Sequence, residues 1–118
     1  MNWNELSEVN QLTTIDKESE SNPVMILKHS TRCSISTAAL ERLNRKWAQA
    51  DYEKIKPYYL DLLAHRDISN AIESRYKIEH QSPQVLIISN GKCIYSETHS
   101  GIRHDDLMDI VAKHQNHI

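Results

Sequence analysis

At 118 residues, with 39% hydrophobic and 25% charged residues and a formal net charge of −2, the chain is long enough to bury a core without staples. Its nearly balanced charge gives no basis for a nucleic-acid or membrane-surface partner. The opening "MNWNELSEVN" has neither a basic n-region nor an apolar h-region, and no apolar run nears the roughly 20 residues of a membrane span, so a cytoplasmic protein with a single domain over residues 1–118 is expected.

Trp3 and Leu6 precede Ser7, a candidate N-cap. Val9, Leu12 and Ile15 then recur at rough helical spacing through "EVNQLTTIDK", and "ESESN" with Pro23 ends that helix. "VMILKH" (24–29) is too short for a lone helix and reads as a central strand buried on both faces. A polar turn holding Cys33 follows. After it, "SISTAALERLNRKWAQADYE" (34–53) reads as one long helix, with Ser36, Leu40, Leu43 and Trp47 on one face. "KPYYLDLL" is a second core strand, with Pro57 tolerated at its beginning. Asp67 is the expected N-cap of "ISNAIESRY", whose stripe is Ile68, Ala71, Ile72 and Tyr76. "QVLIIS" and "KCIYS" form a hairpin across Asn90-Gly91, a pair suited to the positive φ angles of a type I′ turn. "DDLMDIVAKHQ" closes the chain as a helix with an acidic start, carrying Leu107, Ile110, Val111 and His114 at helical spacing. The order β-α-β-α-β-α-β-β-α implies an α/β fold: a mixed central sheet with helices on both faces.

The chain holds two cysteines, Cys33 and Cys93, and seven scattered histidines. Two cysteines are too few for a disulfide scaffold or for structural zinc, and no metal site is expected. Cys93 is expected to be a packed residue, sharing by strand alternation a face with Tyr95. Cys33 lies where a strand ends and a helix begins, and the exposed N–H groups of a helix start favour a thiolate. Arg32 beside it adds positive potential. Three readings stay open: a redox thiol, a hydrolase-type nucleophile with His29 or His99 as its base, or a small buried residue.

Ser36 stands where a C-x-x-C pair would complete itself. A hydroxyl cannot resolve a mixed disulfide, but it can donate a hydrogen bond to a thiolate one helical turn away. That pattern suits a one-cysteine cycle released by an outside thiol. Pro83, in "SPQV", is placed to be a cis proline ahead of a strand lying beside the Cys33 loop. The Ser82 backbone would then be free to pair with a substrate main chain.

These residues together resemble the thioredoxin fold, with Cys33 as the first active-site cysteine and Pro83 as the cis proline. More narrowly, "LKHSTRCSIS" resembles the K-H-S-x-T-C-P-I-S segment of the YtxJ-like monothiol bacilliredoxins. "YYLDLLAHRDISNAI" is similar to that family's Y-x-L-x-V-x-x-x-R-x-L-S-x-x-I region, and "HQSPQVLIISNGKCIYSETHSGI" to its H-E-S-P-Q stretch and the hairpin after it. The resemblance implies a thiol-disulfide oxidoreductase that removes bacillithiol, or a similar small thiol, from capped proteins. It holds no bound cofactor, uses the small thiol as co-substrate, and has S-thiolated proteins and a recycling reductase as partners. It matches Cys33 to the nucleophile, Ser36 to the serine replacing a resolving cysteine, and His80, Ser82 and Pro83 to the cleft. Thr31, Arg32 and Ser34 flank the thiol. Two positions depart from the family: Arg32 replaces a threonine, and Ser34 replaces the proline after the cysteine. Ser34 brings an extra N–H and hydroxyl to the sulfur, so a more strongly stabilised thiolate with altered redox poise is expected. The alternative is a non-catalytic thioredoxin-fold adaptor that binds partners through the same groove.

Overall fold

Alternate residues of the run Val24–His29 enter two separate apolar clusters, which is what makes it the middle of the sheet. In the computed structural model, which describes residues 1–115, this strand (β2, Val24–His29) lies between β3 (Lys56–Asp61) and β4 (Gln84–Ser89). Val24 and Ile26 face one side with Leu86, Ile88, Tyr58 and Leu60, under helices α1 (Gln11–Glu18) and α4 (Arg66–Tyr76). Met25 and Leu27 face the other with Val85 and Ile87, under α2 (Ser34–Lys46) and α5 (His104–Gln115). The five-stranded sheet has the order β1-β3-β2-β4-β5, with β1 (Asn4–Glu5) and β5 (Lys92–Thr98) at its edges. β1, β3 and β2 are parallel, whereas β4 and β5 run antiparallel to their neighbours. The expected α/β architecture is therefore the observed one, and its leading strand is only a two-residue pairing.

Several local expectations are corrected. Ser7 does not cap α1. Asn10 holds the cap position without a side-chain cap bond, and the Gln11 side chain ties the turn ahead of the helix, accepting the Ser7 and Glu8 N–H groups at 2.7 and 2.8 Å and donating to the Glu5 carbonyl. Val9 is exposed, and Leu12 and Ile15 alone carry the buried face of α1. The helix expected over 34–53 stops at Lys46 and restarts as the four-residue α3 (Asp51–Lys54). Trp47 turns extended there, with ψ 118°, and its indole packs edge-on against His104 at 5.6 Å. Asp51 fastens the break by accepting the Ala48 N–H at 2.8 Å and meeting His104 Nε2 at 2.8 Å. Asp67 is in the first turn of α4 rather than capping it; His65 holds the cap position.

Asn90 and Gly91 both take positive φ, 51° and 73°, as a type I′ turn requires. Alternation fails just beyond them. A bulge between Ile87 and Ile88 pairs Ile88 with Cys93 and Ile87 with Tyr95, leaving Ile94 over. Cys93 thus packs with the α1/α4 cluster and Tyr95 with the α2/α5 cluster, on opposite faces rather than one.

Candidate active site

β2 ends, and β4 begins, at the same edge of the sheet, because the two are antiparallel. This places the Cys33 turn, Pro83 and the 3₁₀ turn after β5 (His99–Gly101) at one end of the molecule. The Ser82–Pro83 peptide is cis. The His99 N–H donates to the Pro83 carbonyl at 3.2 Å, joining two of these segments. Arg42 of α2 holds the 3₁₀ turn from the other side, donating to the carbonyls of His99 and Ile102 at 3.0–3.2 Å.

Cys33 is the N-cap residue of α2, with extended backbone (φ −110°, ψ 119°). Its carbonyl accepts the Thr37 N–H at 3.0 Å and the Thr37 hydroxyl at 3.2 Å, and its own N–H donates to Ser30. The side chain is half-buried. Thr31, Arg32 and Ser34 are exposed around it, as is Ile35, an apolar side chain beside the thiol. Ser82 exposes another opening: neither its backbone N–H nor its carbonyl is bonded to a described residue, and its buried hydroxyl has no partner there.

Ser36 is fully buried and does not bond the sulfur. Its Oγ accepts the Ser30 N–H at 3.0 Å and lies 2.6 Å from His29 Nδ1. Burial of His29 lowers its pKa, against the opposing pull of Asp61 and of the Ser36 contact, so the ring is neutral near pH 7. The serine proton is then directed to Nδ1, because no other acceptor among the described residues is in reach. This replaces the expected Ser36-to-thiolate bond with a lock that joins β2, the Cys33 turn and α2. His29 is buried against Tyr59, with ring centroids 5.6 Å apart. His99 is exposed at the rim, and its ring bonds no described residue.

Cys93 is not at this end. It pairs with Ile88 beside the β4–β5 turn, at the far end of the sheet. Burial raises its thiol pKa, and its Sγ–H donates to the Tyr95 carbonyl at 3.3 Å.

The residue that sequence reasoning passed over is Lys28. It is fully buried, and burial lowers its pKa to about 8 while Glu73 pulls the other way. Its Nζ donates to the Ser69 carbonyl at 3.3 Å and meets His80 Nδ1 at 3.3 Å. Ser69 Oγ reaches the same ring nitrogen at 3.2 Å, and the His80 N–H donates to Glu73 at 2.6 Å. The signal was present: a lysine inside a strand read as buried on both faces has nowhere dry to put its charge.

A half-buried cysteine at the N-cap position of a helix, at the same end of this sheet as a cis proline, defines the thioredoxin class of thiol-disulfide oxidoreductases. The fold agrees with solved structures. One is described as a candidate oxidoreductase with a thioredoxin fold, at 30% identity and TM-score 0.77, covering 89% of each chain. Thioredoxin from Malassezia sympodialis matches at 17% identity and TM-score 0.72, covering 96% of this chain and 90% of that one. Thioredoxin from Trypanosoma brucei brucei matches at 18% and 0.70, covering 94% and 92%. Within that class, residues 4–107 match the model of the monothiol bacilliredoxin BrxC family, and the chain belongs to that family. No helix among the described residues is long and apolar enough to cross a membrane.

Proposed function

We propose that this protein removes bacillithiol, or a small thiol of similar chemistry, from protein mixed disulfides, in the manner of the YtxJ-like bacilliredoxins. The Cys33 thiolate attacks the small-thiol sulfur of the mixed disulfide. The old S–S bond breaks, the protein thiolate leaves and takes up a proton, and a new S–S bond joins Cys33 to the small thiol. A second small-thiol thiolate then attacks the sulfur on Cys33, giving the symmetrical disulfide and free Cys33. A reductase completes the cycle by reducing that disulfide, and the cytoplasm is the proposed compartment.

The observation that carries this reading is the absence of a resolving thiol near Cys33 among the described residues: Ser36 is locked to His29, and Cys93 lies at the other end of the sheet. The unbonded Ser82 backbone supports the binding half of the proposal, since it can pair with the main chain of a capped protein. Thr31, Arg32 and Ser34 form the exposed rim that such a protein would meet. The test is to incubate reduced protein with an S-bacillithiolated substrate and follow both by intact mass. The adduct should move to Cys33, and Cys33→Ser should abolish transfer. A substrate that stays capped refutes the reading, and partner binding that survives Cys33→Ser without any transfer indicates the adaptor instead.

A further inference from the structure

Lys28 and His80 carry an inference that rests on the exchange reaction proposed at Cys33. An ammonium group has donors and no acceptor, so at His80 Nδ1 it can only be met by a lone pair. Lys28 Nζ at 3.3 Å, protonated below its pKa of about 8, therefore fixes Nδ1 as the acceptor at neutral pH and leaves the ring proton on Nε2. Ser69 Oγ, 3.2 Å from the same nitrogen, could not decide this alone, because a hydroxyl donates or accepts as its neighbour demands. The ring is neutral near pH 7, since burial and the positive charges of Lys28 and Arg66 lower its pKa against the pull of Glu73. Nε2 is at the opposite edge of the ring from Lys28, on an exposed residue three positions ahead of the cis proline. The backbone of His80 is tied down as well, through its N–H to Glu73 at 2.6 Å.

We propose that Lys28 is a positioning residue that holds His80 as an Nε2–H donor, directed at an acceptor oxygen of the disulfide substrate beside Pro83. Such an oxygen is a main-chain carbonyl on the protein half or a carboxylate on the small-thiol half. A buried charge is a costly way to orient one ring. It is justified chemically because a donor-only group admits no second tautomer.

The test uses the full chain with Lys28→Met, which keeps the volume and removes the donor. Nitrogen-15 NMR of the wild type should show His80 protonated on Nε2 alone, and the variant should show a mixture. The KM for the capped protein should rise about 3- to 10-fold, the worth of one hydrogen bond, with kcat little changed. His80→Gln restores a donor that does not depend on tautomer, so adding Lys28→Met to it should leave KM within 2-fold. Repeating the assay with the symmetrical small-thiol disulfide identifies the acceptor: a rise there as well places it on the small thiol, and a rise confined to the capped protein places it on the protein half. The inference is overturned if Lys28→Met leaves His80 on Nε2 with KM unchanged, or if KM rises equally in the His80→Gln background. Should Lys28→Met fail to fold, His80→Ala tests the same donor: KM rises as stated, or the inference falls. Wild-type protein that performs no exchange would defeat the proposed function instead, so the two failures are distinguishable.

Discussion

Lys28→Met should make the folded protein more stable at neutral pH, and the gain should vanish as the solution becomes alkaline. The ordinary lysine pKa of 10.5 falls to about 8 when this side chain is buried. That difference is about 3 kcal/mol of penalty on the charged folded state, at about 1.4 kcal/mol per pKa unit. Between pH 8 and 10.5 the unfolded chain holds a proton the folded chain has released, so wild-type stability gains from Lys28 as pH rises through that window. Below pH 8 the penalty is present in full. Methionine never carries it, but the substitution removes the donors to the Ser69 carbonyl and His80 Nδ1, at about 0.5–1.5 kcal/mol each. The expected net is about 1 kcal/mol in favour of the variant at pH 7, reversing at about pH 9. The assay is urea unfolding followed by the fluorescence of Trp3 and Trp47, run on both proteins from pH 6 to 10.5. Cys93 and the buried tyrosines titrate in both proteins and cancel in the difference. A difference that stays flat across this range would refute the reasoning, since it would mean that Lys28 keeps its proton at no cost.

Two further outcomes can be checked with the same material. Ser36→Ala leaves the partly buried Ser30 N–H without its acceptor and His29 Nδ1 without its donor. It should cost about 1–3 kcal/mol in urea unfolding, while intact mass still shows the adduct forming on Cys33. Cys93→Ala should leave exchange within 2-fold of wild type, because that thiol is at the far end of the sheet. A Cys33–Cys93 disulfide in the oxidised wild type would contradict this.

The parts of the molecule that were legible from sequence are those whose cause is local. "VMILKH" is apolar on both parities and became the central strand, and Asn90-Gly91 supplied the positive φ angles of its turn. Ile68, Ile72 and Tyr76 recur at helical spacing and became the buried face of α4. What was missed depends on groups distant in the chain. The long helix breaks at Trp47 because the indole and Asp51 both engage His104, more than fifty residues beyond Asp51. Its own composition holds no breaker. Cys93 and Tyr95 part company because of a pairing irregularity opposite Ile87 and Ile88, which alternation within one strand cannot reveal. At the site, the serine in place of a second cysteine was plain, but its partner was not. Residue type allows Ser36 to face the sulfur, and only the packing of α2 on β2 turns it to His29.

The bulge at Ile94 also bears on how other chains can approach. A sheet edge invites a foreign strand wherever it offers a run of regularly spaced, unpaired N–H and C=O groups. Here β1 offers two residues, and β5 is interrupted at Ile94 and carries Lys92 and Glu97 along its length. Neither rim is a template for strand addition. The unbonded amide and carbonyl of Ser82 lie instead at the cis-proline end of the sheet, the same end that carries the Cys33 turn.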